Sequence, residues 1–229
     1  MKTVIVTGAN GNLGMAVTNE LLGNGYRVIA TVANETGRND FVANDRLDVQ
    51  VVNLTVEEET YLFVQSNIER YGKIDAAILL VGGFASGHID ATTGEDIKKQ
   101  FSMNFDTAYF VTRPLFQHMM RNDSGRIVFI GARPALVASQ GMGLLAYGLS
   151  KSLLFKLAEY LNEESKGKNI SVSVVVPSTI DTVFNRKSMP EVNPENWVSP
   201  RQLAQSLEFL ISDRSSALRE TVLKVYNNA

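Results

Sequence analysis

Tyr147 and Lys151 stand four residues apart in the stretch Ala146-Tyr147-Gly148-Leu149-Ser150-Lys151. On a helix that spacing puts both side chains on one face, one turn apart. A phenol is a weak acid near neutral pH, with an ordinary pKa of about 10. An ammonium beside it favours the phenolate, so Tyr147 would give up a proton more readily. The same pair also suits an amphipathic surface helix, and the spacing alone does not choose. The elements around it must.

The chain has 229 residues, 45% hydrophobic and 20% charged, which is enough to bury the core of one large domain. A formal net charge of -2 leaves no basic footprint for nucleic acid or an anionic membrane. Cysteine is absent, which removes disulfides and thiolate metal sites. His88 and His118 are too few for a histidine-built metal centre, so no metal is expected. Met1 to Gly8 runs straight into a short apolar strand, without the apolar core and cleavage site of a signal peptide. No apolar run approaches the ~20 residues of a membrane span. These features lead to the expectation of a cytoplasmic protein with a small-molecule substrate.

Val4-Ile5-Val6 reads as a buried strand, and Thr7-Gly8-Ala9-Asn10-Gly11-Asn12-Leu13-Gly14 follows it. A helix then carries Leu13, Val17, Leu21 and Leu22 on one stripe and stops at Gly23-Asn24-Gly25. A second strand runs from about Tyr26 to Val32. Strand, glycine turn, helix and strand make the unit that binds a dinucleotide, with the pyrophosphate on the helix N-terminus. The cofactor is then NADP or NAD. An acid after the second strand would select NAD, but Ala33-Asn34 offers none, which leans toward NADP with Arg38 as a nearby cation.

Further strands are expected at Val49 to Val52, Ile74 to Val81, Arg126 to Ile130, Ile170 to Val176 and Thr221 to Tyr226, with a polar connection from Asn39 to Leu47. Thr55 is placed to cap the helix whose first turn holds Glu57, Glu58 and Glu59. Gly82 and Gly83 would let the nicotinamide half of a cofactor lie close to backbone, and Phe84 after them could stack on a flat ligand. A long helix from about Asp96 to Arg121 should bend at Pro114. Asn104 falls within it among Phe101, Phe105 and Phe110, and needs partners if buried. Gly141-Met142-Gly143 reads as a hinge-like lid. The helix bearing Tyr147 continues through Leu154, Leu157, Ala158 and Leu161, a breadth that suits contact with a second subunit. Ser199 with Pro200 opens the last helix. The alternation predicts an α/β fold: a single doubly wound, Rossmann-like domain with a mostly parallel seven-stranded sheet.

Taken together, the Thr7-Gly8 turn, Asn53-Leu54, Asn104, Tyr147 with Lys151, and the loop from Pro177 to Thr182 resemble the short-chain dehydrogenase/reductase family over nearly the whole chain. The resemblance implies that Tyr147 is the catalytic acid. Lys151 would lower its pKa and hold the nicotinamide ribose. Asn104 would position a water in the proton relay. It implies cofactor contacts from Thr7, Gly8, Asn10, Gly11, Asn12, Leu13, Gly14, Asn53, Leu54, Gly82, Gly83, Lys151, Pro177 and Ile180, with Thr182 on the carboxamide. Homodimers or homotetramers are expected of such proteins.

Three departures stand out. The middle glycine is Gly11, where the commoner spacing would put it at position 12. Leu80-Val81-Gly82-Gly83 replaces the usual Asn-Asn-Ala-Gly. Ala132 stands where the family's serine is expected, with Ser139 as a possible substitute. These features, with Gly82-Gly83-Phe84-Ala85 and Asn185-Arg186-Lys187-Ser188-Met189-Pro190, look like the dihydropteridine reductase branch. That likeness implies reduction of a quinonoid dihydropterin, with Phe84, Tyr147 and Asn185 at the substrate. The alternatives are a carbonyl reductase and a non-catalytic NAD(P)-sensing or scaffold protein on the same fold.

Overall fold

The computed structural model describes residues 1–228. The chain opens with β1 (Thr3–Thr7), α1 (Asn12–Gly23), β2 (Arg27–Val32), α2 (Glu35–Arg38) and β3 (Leu47–Val51). Next come α3 (Glu57–Tyr71), β4 (Ala76–Leu79), α4 (Gly94–Phe101), a π-helical segment Ser102–Asp106, α5 (Thr107–Arg121) and β5 (Ser124–Ile130). The remainder is α6 (Ala138–Gly141), α7 (Leu145–Glu164), β6 (Asn169–Pro177), α8 (Val183–Ser188), α9 (Pro200–Ile211) and β7 (Val222–Val225). All seven strands pair in parallel, in the order β3-β2-β1-β4-β5-β6-β7.

A parallel sheet needs cover on both faces, so its central strands read as unbroken apolar runs. Side-chain alternation then sorts each run into two cores. Ile5, Ile29, Ala77, Leu79, Ile127 and Phe129 face one way, with Phe63, Val64, Leu115 and Leu154 from α3, α5 and α7. Val4, Val6, Val28, Ala30, Ile78 and Val128 face the other, with Val17, Leu21, Leu203 and Leu207 from α1 and α9. The strand order reverses between β1 and β4. That switch point opens a crevice at the strands' carboxyl ends, where ligands of such sheets bind.

Several expectations need correction. β4 is shorter than Ile74 to Val81, and β3 begins at Leu47, inside the expected polar connection. Thr55 does not cap α3; its hydroxyl donates to Asn53 Oδ1 at 2.7 Å, and Val56 holds the cap position without a side-chain bond. The long helix is interrupted at Ser102–Asp106, not at Pro114, which lies buried within α5. One missing amide there costs less than that buried face gains by staying helical. The capping box of Ser199 and Gln202 forms as the sequence suggests.

Candidate active site

Thr7 closes β1, and its hydroxyl ties the ends of the two central strands together. Its Oγ1 accepts from the amides of Leu80 (2.9 Å) and Val81 (3.3 Å). Gly8 follows with φ +63°, a left-handed turn that costs other residues energy. At Gly14 an added Cβ would lie 2.2 Å from the Gly8 carbonyl oxygen, so only glycine lets α1 approach this backbone. Gly11 caps α1 without a side chain to accept its first amides, and Asn12 and Leu13 open the helix. Those N–H groups and the helix dipole suit a pyrophosphate. The cradle therefore fits the cofactor that the sequence implies.

The adenosine end is more mixed. Asn53, at the end of β3, is exposed, but its Oδ1 is taken by the amide and hydroxyl of Thr55. Leu54, expected to touch the cofactor, is instead buried in the core with Phe63 and Val64. Asn10 lies against α2, where its Nδ2 donates to Asp40 Oδ2 at 3.3 Å.

At the other end, the π-helical segment turns Asn104 fully inward. Its Oδ1 accepts from Gly83 N at 3.0 Å. Its Nδ2 lies 3.0 Å from Gly83 O, 2.9 Å from Gln100 Oε1 and 3.1 Å from Ser150 Oγ. Ser150 Oγ in turn donates to Tyr147 O at 2.8 Å. Three acceptors already compete for two amide hydrogens, so the side chain clamps Gly83. Gln100 and Ser150 are partners that the sequence reading missed. The only signal for Gln100 was its place one turn before Asn104.

Lys151 is buried, and its Nζ donates to the Ile130 carbonyl at 2.9 Å. A Cβ on Gly82 would stand 3.1 Å from that nitrogen and 2.7 Å from Asn104 Oδ1, which explains the glycine. Burial pulls the Lys151 pKa down to about 8 and pushes Tyr147 up to about 12. The phenol is therefore not acidified in this state, contrary to the simple reading of the pair. Desolvation disfavours both charged forms and moves each group in its own direction. Phe84 stands edge-on to Tyr147, with ring centroids 5.2 Å apart and planes at 62°. It is 67% exposed, so one face is open to a ligand.

Ala132 is buried after β5, leaving no hydroxyl at that place. Ser139 lies exposed on α6. The expected lid at Gly141-Met142-Gly143 is pinned: Gly87 N donates to Gly143 O at 2.8 Å, and Leu145 N donates to Gly87 O at 3.1 Å. Beyond Pro177, Ile180 forms a bridge with Val198. Thr182 Oγ1 accepts from Asn185 N at 3.1 Å and caps α8, while Asn185 Nδ2 donates to Ile180 O at 2.8 Å. Asn185 is thus turned back into its own loop rather than presented to a substrate, because the short helix needs that bond at its entry. Tyr147, Lys151, Asn104, Gly82, Gly83 and Phe84 come together; Asn10, Asn53 and Leu54 lie at the other end.

A parallel sheet with a glycine cradle at its switch point and a half-buried tyrosine one turn from a buried lysine defines a dinucleotide-dependent oxidoreductase. Residues 2–193 match the short chain dehydrogenase family model, and the chain belongs to that family. It is 25% identical to a 3-oxoacyl-[acyl-carrier-protein] reductase of Thermotoga maritima, over 98% of this chain and 96% of that one. It is 26% identical to an acetoacetyl-CoA reductase of an Acinetobacter species, again over 98% and 96%. Among solved structures it resembles gox2181, with a TM-score of 0.90 at 25% identity over 98% of this chain and 93% of that one. ElxO with NADP bound shares the fold, with a TM-score of 0.90 at 22% identity over 98% and 96%. The chain is an NAD(P)-dependent oxidoreductase, and among its described residues no helix is long and apolar enough to cross a membrane.

Proposed function

We propose that this oxidoreductase reduces a flat, conjugated substrate such as a quinonoid dihydropterin, with Tyr147 as the proton donor. The observation that carries this reading is the combination at the reacting end. Ala132 offers no hydroxyl to a substrate oxygen, while Phe84 offers an open aromatic face beside Tyr147. A carbonyl becoming an alcoholate needs a hydrogen-bond donor at its oxygen, and losing one such donor costs about 2.7–4 kcal/mol. A ring nitrogen that accepts a proton makes no such demand.

When bound, the nicotinamide cofactor supplies the hydride. Tyr147 holds the proton that completes the reduction, and a pKa of about 12 keeps it protonated across the working range. Lys151 donates to Ile130 O through one hydrogen, and its remaining two suit the ribose hydroxyls and the phenol oxygen. Asn104 keeps Gly82 and Gly83 against this pair. The exposed Leu149 and Tyr160 on α7 support association into a homodimer or homotetramer.

A second reading, ketone reduction, is favoured by the two curated relatives named above, both ketoacyl reductases rather than dihydropteridine reductases. The deciding experiment supplies quinonoid dihydropterin and acetoacetyl-CoA in parallel, each with NADH and NADPH. Pterin-dependent cofactor oxidation that disappears in Tyr147→Phe supports the first reading. Turnover of the ketone alone replaces it with the second.

A further inference from the structure

We propose that Asp40 selects the dinucleotide, favouring a free ribose 2′-hydroxyl over a 2′-phosphate, so that this enzyme takes NADH in preference to NADPH. The inference rests on the nucleotide-binding reading of the Thr7–Gly14 turn and deepens it.

In doubly wound folds an acid just after the second strand receives the adenosine ribose hydroxyls. Here β2 ends at Val32, and Ala33-Asn34 supplies no carboxylate. The fold brings one in from further along. Asn34 caps α2 by accepting from Gly37 N at 2.9 Å, which turns the chain back over the glycine turn. Gly37 then packs on Asn10, where a Cβ would stand 2.6 Å from Nδ2. That close approach carries the chain on to Asp40, whose carboxylate accepts from the same Asn10 amide at 3.3 Å. A residue of the glycine turn and an exposed carboxylate thus share the place where the ribose edge must lie.

The cations are elsewhere. Arg38 lies 3.7 Å from Glu35 in an ion pair. Both line a shallow cleft at the outer edge of β3 with Asp48 and Arg70. Gly11 and Asn12 bring no positive charge to the turn. A 2′-hydroxyl can donate to Asp40. A 2′-phosphate, with a charge of about -1.5 to -2 at neutral pH, would meet a carboxylate at short range. Hydrogen bonding and repulsion therefore act in the same direction.

The test measures dissociation constants on the full chain by nucleotide fluorescence for NADH and NADPH. Calorimetry with ADP-ribose and 2′-phospho-ADP-ribose removes the nicotinamide from the comparison. Wild-type protein should bind the unphosphorylated member of each pair about ten-fold tighter or more. Asp40→Asn should bring the two within about three-fold, and Asp40→Arg should invert the order, with thermal unfolding confirming that both variants fold. Arg38→Ala should leave the preference unchanged. Tighter binding of the phosphorylated forms by wild type, or a preference unmoved in folded Asp40→Asn, overturns the proposal. Binding of neither dinucleotide removes the nucleotide-site reading itself, an outcome distinct from a wrong preference.

Discussion

The two ends of the cleft are built from different materials. Around Gly8 and Gly14 the shape comes from missing side chains: backbone meets backbone, and the ligand-facing groups are amides. Around Tyr147 the shape comes from side chains that hold one another, with Asn104 joined to Gly83, Gln100 and Ser150. The first kind of site is local and tolerates no added atom. The second is spread over β4, α4, the π-helical segment and α7, and it contains two ionisable groups in a desolvated place. Each material should fail in its own way when altered.

The sharpest break is at the glycine cradle. Gly14→Val puts carbon atoms into the Gly8 carbonyl, so nucleotide binding should be lost and stability should fall by about 3 kcal/mol, the upper end for overpacked cores. Gly23 lies in the same helix with nothing within 4 Å of an added Cβ. Gly23→Ala should therefore be neutral or stabilising by up to about 1 kcal/mol. Thermal unfolding and a cofactor titration on both variants check the contrast. A tolerated Gly14→Val would mean that the cradle is not set by this contact.

Tyr147→Phe acts at the other end and should do the reverse. The phenol is held from ionising by burial, and removing its oxygen takes away no hydrogen bond that fixes the fold. Stability should change by less than about 1 kcal/mol. Turnover at saturating cofactor should fall about 10²–10⁴-fold, the usual worth of a general acid. Full activity in the variant would assign the proton to another group.

Asn104→Ala tests whether the side-chain network is a frame. It strands the Gly83 amide and carbonyl and frees Gln100, in a place without water access for Asn104 itself. The expected loss is about 1–3 kcal/mol of stability. The Michaelis constant for the cofactor should rise as Gly82 moves from Lys151. A drop in turnover alone would instead favour a direct role in proton relay.

The same contrast explains what could be read in advance. Glycine spacing and the Ser199-Pro200 entry report local backbone needs, and both were legible. Tyr147, Lys151 and Asn104 were legible as positions, but their state was not. Nothing in a four-residue spacing says that desolvation would set the state of both groups. The π-helical turn at Ser102–Asp106 sets Asn104 among partners from across the fold, which no local pattern announces, so the bend was assigned to Pro114 instead. α2 and α8 are short and polar, and each depends on one capping side chain, Asn34 or Thr182. Asp40 sat unnoticed in a polar connection because only the contact of Gly37 with Asn10 brings it to the site.

The smallest effect separates the two materials by pH. Burial lowers the folded pKa of Lys151 to about 8 from the ordinary lysine value of 10.5. Below pH 8 it is charged in both states, and the burial penalty is fully present. Between pH 8 and 10.5 the folded protein releases the proton while the unfolded chain keeps it. The unfolded state then binds more protons, so stability rises with pH across that window and the slope vanishes above it. Tyr147 acts in the opposite sense, but only above pH 10, where the unfolded phenol ionises and the buried one does not. The interval from pH 8 to 9.5 therefore isolates Lys151 from Tyr147, and the gain should be on the order of 2 kcal/mol. Urea unfolding at both pH values should show this gain in the wild type and lose it in Lys151→Met. Gly23, at the far end of α1 from the cradle, has nothing within 4 Å of an added Cβ and carries no titratable group, so Gly23→Ala should keep the wild-type slope. An equal slope in Lys151→Met would place the titration elsewhere and undo the picture of a buried ammonium held, among the described residues, by the Ile130 carbonyl.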